Sequence, residues 1–157
     1  MLAVLFNLGD QRFAINAERV EIVIPALPLG AVPGAPAFVA GRFQYRGTIV
    51  PVIDLGQLIL KRPLTQGLSS RYLLTHYKRS DGSATLLGLW AERVTETAEI
   101  PEQTLAASGV TLKDAKYLGR VFTDEDGAII QCVEPADVLT AEVRELLFDE
   151  SEPATAP

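Results

Sequence analysis

Gly41-Arg42-Phe43-Gln44-Tyr45-Arg46-Gly47-Thr48-Ile49-Val50-Pro51-Val52-Ile53-Asp54-Leu55 is the stretch from which the rest of this chain is read. Its second half is an apolar, β-branched run of strand length, opened by Gly47 and closed by Asp54, which is the pattern of a buried strand between two turns. Pro51 interrupts the run. It has no N–H to give to a ladder, so its position is restricted to an edge or a bulge, and the strand is expected to lead to an exposed, shaped edge. Arg46, charged and directly before the turn glycine, stands at the start of that strand.

Upstream, Pro36-Ala37-Phe38-Val39-Ala40-Gly41 reads as one helical turn with proline first and glycine ending it. Pro25 to Pro36 holds four prolines and two glycines in twelve residues, an ordered surface loop too apolar to be a solvated linker. Val20–Ile24 is a short apolar segment. Asn16 is placed to cap a helical turn through Val20. Leu2–Leu8 and Arg12–Ile15 form a hairpin about Gly9-Asp10.

Downstream, Asp54 can cap a short amphipathic helix over Leu55–Leu60. Lys61–Ser70 is polar and turn-rich, the expected seam between two halves. Arg71–Tyr77 and Thr85–Ala91 flank Ser80-Asp81-Gly82-Ser83, whose Asp-Gly supplies the positive φ angles of a hairpin turn. Val94–Ile100 is a further strand stopped by Pro101, and Glu102–Asp114 is a connector. Tyr117–Phe122 and Ala128–Val133 enclose another turn at Thr123–Gly127. Pro135–Phe148 has helical periodicity, broken near Thr140. Residues 149–157 are acidic and proline-rich and are expected to be disordered. About nine or ten short strands with little helix make the class mainly β, the sequence form of small barrels or a sandwich.

With 157 residues, 48% of them apolar, the chain can bury the core of one domain or of two small lobes. It contains no run of about 18 uncharged apolar residues and no basic-then-apolar leader, so the expectation is a cytoplasmic protein without direct membrane insertion. The formal charge is −6 and the cations are scattered, which argues against nucleic acid as a partner. The single cysteine, Cys132, excludes an internal disulfide and a multi-cysteine metal site and reads as a buried strand residue.

Candidates for chemistry are few. His76, the only histidine, alternates with Tyr72 and Leu74 and reads as a strand residue with a local hydrogen bond rather than a general base. Asp124-Glu125-Asp126-Gly127 lacks the later glutamate of a calcium loop and reads as a hairpin tip. Asp54 reads as a cap, and Glu92 and Glu96 as outward strand residues. There is no phosphate loop or nucleophile elbow. The expectation is therefore a non-enzyme with no metal and no cofactor. Phe43, Tyr45, Arg46 and Trp90 are of the types enriched at interaction hot spots, although the aromatics can equally fill two small cores.

These residues resemble the CheW-like domain of bacterial chemosensory systems, an adaptor that couples receptors to the histidine kinase CheA. The resemblance runs from about Leu2 to Leu147. It is carried by Pro36–Gly41, by Tyr45-Arg46-Gly47 and by Ile49–Leu55, with weaker agreement in Phe6–Asp10, Phe13–Ile15, Leu87–Leu89 with Val94, and Tyr117–Gly119. It implies a single CheW-like domain over residues 1–148, built from two packed five-stranded SH3-like barrels with approximate lobes 13–65 and 70–133. It also implies two partners, a CheA-type kinase and the cytoplasmic hairpin tip of a chemoreceptor, and a location at membrane receptor arrays. By position, Val20 and Arg46 match residues tied to receptor contact and Gly41 a position that tolerates no bulk. Ile22 stands where many members carry glutamate. Together with Trp90-Ala91-Glu92 and Glu134-Pro135, this departure makes the chain look closest to adaptors of alternative pathways such as the Wsp surface-sensing type. The alternative class is a small-ligand-binding or catalytic β-barrel, for which the sequence offers no convergent polar cluster.

Overall fold

The computed structural model describes residues 1–107 and 115–148, with Thr95 as backbone only. Among the described residues there are nine strands: β1 (Leu2–Leu8), β2 (Gln11–Asn16), β3 (Val20–Pro25), β4 (Val39–Tyr45), β5 (Thr48–Asp54), β6 (Ser70–Lys78), β7 (Ala84–Glu99), β8 (Leu118–Thr123) and β9 (Ile129–Val133). One α-helix follows, α1 (Ala141–Leu147), capped by Thr140, whose hydroxyl accepts the Val143 N–H at 3.3 Å. The fold is mainly β, as the spacing of turns predicted. The acidic segment 149–157 and part of the connector 102–114 lie outside the described residues.

The sheet runs β3-β6-β7-β1-β2-β9-β8, with β5 pairing both β4 and β7. Strand β7 belongs to two groups. Its first half pairs β6 antiparallel and β5 in parallel, and its second half pairs β1. Glu92 is the hinge, opposite both Ser70 of β6 and Asn7 of β1. The sequence divides this segment into two strands, Thr85–Ala91 and Val94–Ile100; the structure makes it one strand of 16 residues. What joins the halves is a bulge: Arg93 takes a left-handed φ of 51° and the β1 register slips beside it, so the strand bends without ending.

Each strand group curls until a single bridge closes it. In the first, Gly30 of the proline-rich loop exchanges both backbone hydrogen bonds with Arg42 of β4, at 2.8 and 2.9 Å. In the second, Ala106 does the same with Val121 of β8, at 3.0 and 2.8 Å. Closure of this kind removes the open edges that would otherwise template further pairing.

Side chains alternate between three apolar clusters. Val50, Val52, Tyr72, Leu74 and Trp90 fill the first group, and Ala3, Leu5, Ala14, Ile100 and Ile130 the second. Between them lies the largest cluster, to which the opposite faces of the same strands contribute: Val4, Phe6 and Leu8 from β1, Ile53 at the end of β5, and Leu73 and Tyr77 from β6. Burial on both faces from Val50 onward explains why β5 reads as a continuous apolar run. Trp90 belongs to the first cluster at 7% exposure, so it is core and not part of an interaction surface.

Three local expectations are corrected. Leu55–Leu60 is not an amphipathic α-helix but one wide π turn over Gly56–Leu60, stopped by Lys61 at φ 60°. Pro36–Gly41 is not a helical turn: Val39 N–H meets Pro36 O at 3.0 Å in a tight turn, and the chain enters β4 at once. Strand β5 is an edge only in its first part, because β7 takes its second side from Val52 onward, one residue after Pro51.

Candidate interaction surface

The turn between β4 and β5 consists of Arg46 and Gly47, at φ 48° and 82°, with Tyr45 and Thr48 opposite each other as the closing pair. Two successive positive φ angles define the primed two-residue turn whose twist matches that of the flanking strands. Glycine tolerates this backbone freely, whereas an arginine in the left-handed region costs roughly 1–2 kcal/mol. The result is a guanidinium projected from a rigid hairpin. Arg46 is exposed, its Cζ lies 5.2 Å from the centroid of the Tyr45 ring, and among the described residues no carboxylate pairs with it.

Arg46 rims a concavity of about 420 Å³ that also takes Glu21 from β3, His76 from β6, Arg79 from the β6–β7 loop and Leu86 from β7. Glu21 arrives there because of a bulge. The β3–β6 register slips between Val20 and Ile22, which leaves Glu21 without an opposite residue and frees its carboxylate to approach His76 Nε2 at 3.3 Å. His76 is thus the strand residue with a local partner that the sequence implied. Arg79 escaped the sequence reading. The only local signal for it was its position directly before the Ser80-Asp81-Gly82-Ser83 turn, where its backbone N–H and carbonyl bond Ser83 and Gly82 at 2.9 Å each.

The remaining site candidates lie elsewhere. Ile22 is 37% exposed on β3, and Val20, half-buried, packs against the central cluster. Gly41 is buried inside β4 with φ 151°, its Cα turned toward Leu29 and Gly30 of the proline-rich loop. Among the described residues, then, Arg46 is gathered with Glu21, His76 and Arg79, and not with Val20, Ile22 or Gly41.

A larger concavity of about 570 Å³ lies beside α1, where Lys61, Lys116 and Arg144 face Tyr117 and Asp137. Burial pushes the Tyr117 phenol up, so it is held protonated. No histidine, cysteine or pair of carboxylates lines this space. Cys132 lies in β9, half-buried against the second cluster, and burial raises its thiol as well. Among the described residues no group of three or more His, Cys, Asp or Glu side chains could hold a metal ion, and no helix is long and apolar enough to cross a membrane.

A family model described as the CheW-like domain matches residues 2–143. The chain belongs to the CheW-like domain family. Among curated relatives it is 24% identical to the probable chemotaxis protein CheW of Rhizobium etli over 102 residues, a match covering 65% of this chain and 63% of that protein. It is 22% identical to the chemotaxis protein CheW of Rhizobium meliloti over 143 residues, 90% of this chain and 89% of that one. The crystal structure of the scaffolding protein TtCheW from Thermoanaerobacter tengcongensis superposes with a TM-score of 0.77 at 22% identity, over 90% of this chain and 89% of its own. The fold of this CheW-like domain is therefore shared with a solved member.

Proposed function

We propose that this CheW-like domain is a non-enzymatic chemosensory adaptor that couples a chemoreceptor to a CheA-type histidine kinase. The Arg46 hairpin tip carries the reading: a guanidinium held out on a rigid two-residue turn, over the Tyr45 ring and with no carboxylate paired to it among the described residues. A group so placed is available to a partner and needs little further ordering to bind one. Val20 and Ile22 are further receptor contacts in this reading, on β3 and apart from the Arg46 concavity, and Gly41 supports the hairpin by letting the proline-rich loop close on β4. The adaptor works without turnover, holding receptor and kinase in a geometry in which receptor motion shifts the kinase between states that make different contacts. An alternative pathway of the Wsp type is the favoured setting, in the cytoplasm at receptor arrays.

Titration of a chemoreceptor cytoplasmic fragment tests the receptor face. Arg46→Ala should weaken binding by about 1–3 kcal/mol, as for loss of a directed interface arginine. Arg46→Lys should recover only part, since an ammonium keeps the charge without the planar fork of donors. Arg46→Gly should bind as poorly as the alanine variant yet melt no lower than wild type, because glycine relieves the left-handed backbone. An exposed cation over a ring contributes only about 0.5–1 kcal/mol, so melting of the alanine variant should fall by no more than about 4 °C. Unchanged affinity in all three variants would remove Arg46 from the receptor face. Co-elution of the wild type with a CheA-type kinase, run beside a screen for nucleotide or small-ligand binding, separates the adaptor from a ligand-binding barrel.

A further inference from the structure

We infer that the concavity beside α1 is a binding site for a small organic dianion, a phosphate monoester or a dicarboxylate carried on an apolar body. Its volume of about 570 Å³ is that of a small-molecule site. Two parts of the chain far apart in sequence build it. Lys61 comes from the end of the π turn, Lys116 and Tyr117 from the approach to β8, and Arg144 from α1.

Charge and unmade hydrogen bonds select the ligand. Three cations face one carboxylate, Asp137, so the lining holds an excess of two positive charges in a chain whose formal charge is −6. Among the described residues none of these four side chains is in an ion pair. Lys61 gives one of its three ammonium donors to the Leu58 carbonyl, at 3.2 Å, and keeps two. Arg144 stands near the Tyr77 phenol, whose pKa burial raises and this guanidinium lowers, so that neighbour is neutral and does not cancel the charge. Tyr117 is 6% exposed and lines the space, and among the described residues its hydroxyl makes no hydrogen bond. Burial keeps it protonated, and so a donor. Arg144 Nε is likewise buried without a hydrogen-bond partner. Buried donors left unpaired are rare in folded proteins, and an anion between these side chains satisfies them together. Phe38, Leu58 and Leu139 form an apolar wall that a bare ion leaves wet and an apolar body covers. The Arg46 concavity is a poorer match, because Glu21 lines it and Asp81 acts on Arg79 from the same turn.

The inference does not rest on Arg46. It adds to the adaptor a ligand that is bound and not turned over, so a chain that co-elutes with a CheA-type kinase and also takes the dianion is an adaptor with a ligand site. The test follows amide shifts of the full chain during titration with phenyl phosphate, phthalate, inorganic phosphate and benzyl alcohol at fixed ionic strength. One or both of the organic dianions should saturably shift the amides of Lys61, Tyr117 and Arg144, and the tighter of the two assigns the head group. Inorganic phosphate, which cannot cover the apolar wall, and benzyl alcohol, which has no charge, should each bind at least about tenfold more weakly. Tyr117→Phe, which keeps the ring, and Lys61→Gln should each weaken the tighter probe by about tenfold, as for a hydrogen bond lost to a charged group. Arg79→Gln, in the other concavity, should leave it unchanged. Variant spectra away from the concavity must match those of the wild type. Shifts that are absent for both dianions, centred on Arg46, matched by inorganic phosphate or benzyl alcohol, or unaltered in Tyr117→Phe and Lys61→Gln overturn the inference.

Discussion

Gly41→Asp is expected to lower the unfolding free energy of this domain by about 3–5 kcal/mol, a large share of the roughly 5–15 kcal/mol available to a domain of this size. The backbone alone makes the site hostile. At φ 151° an L side chain is strained, which costs of the order of 1–3 kcal/mol. A Cβ there would also stand 2.6 Å from the Gly30 carbonyl oxygen and 2.7 Å from Leu29 Cβ, both inside van der Waals contact. That oxygen cannot yield cheaply, because it accepts the Arg42 N–H at 2.9 Å in the bridge that closes the first barrel. Any relief pushes the proline-rich loop off β4, and a carboxylate then enters a buried site without a partner. Gly41→Ala should cost about 2–3 kcal/mol from strain and crowding alone. Urea unfolding of the three proteins gives the comparison. An aspartate variant with a wild-type midpoint would show that Gly30 does not bridge Arg42 in solution. Loss of receptor or kinase binding in a folded Gly41 variant would come from the displaced loop, since Gly41 itself presents no surface.

The elements legible in the sequence were those fixed by neighbours in the chain. Hairpins at Gly9-Asp10, Ser80–Ser83 and Thr123–Gly127 depend on turn chemistry within a few residues, and all three are present, with Asp81 and Asp124 accepting backbone N–H groups of their own turns. Of the Asp-Gly pair, only Gly82 takes a positive φ. The breaks at Asn16 and Thr140 were visible for the same reason. What escaped was set by residues far apart. Strand β7 is continuous because Leu2 pairs with Glu99 and Asn7 with Glu92, contacts that no local pattern encodes. Gly41 resembled a helix stop because proline followed by a glycine a few residues on is written alike in both cases, and the deciding partner, Gly30, lies in a loop with no regular period. Of the candidate surface, Arg46 was legible through its neighbour Gly47. The gathering of Glu21, His76 and Arg79 around it was not, since it depends on a one-residue bulge in β3 and on barrel closure. Trp90 looked like a surface anchor on residue type alone; its burial in the first cluster, with a T-shaped contact to Tyr72 at 6.1 Å between centroids, identifies it as core.

Asp54→Ala is the second substitution expected to cost heavily, about 2–4 kcal/mol, because one carboxylate there satisfies two separate stretches of backbone. Oδ1 accepts the Gln57 N–H at 3.0 Å, the capping bond that the sequence implied, and Oδ2 accepts the Leu64 N–H at 2.9 Å, ten residues along the chain. The carboxyl is 4% exposed, so its removal strands two donors where water is scarce. Asp54→Asn keeps the shape but offers one oxygen only; its NH₂ must face the second N–H, and about half the loss should remain. Acidity separates the two roles of the carboxylate. Burial, the largest influence, raises its pKa above the ordinary 3.8, against the opposing pull of the Gln57, Leu64 and Gly56 amides. The folded protein then binds the proton more tightly than the unfolded chain, so Asp54's contribution to stability grows as pH falls through the raised value toward 3.8 and is level below it. The advantage of wild type over Asp54→Asn should therefore widen between neutral pH and about pH 4 in urea unfolding. An advantage that narrows over that range would mean that the backbone donors outweigh burial, and that Asp54 is held as a carboxylate chiefly by Gln57 and Leu64.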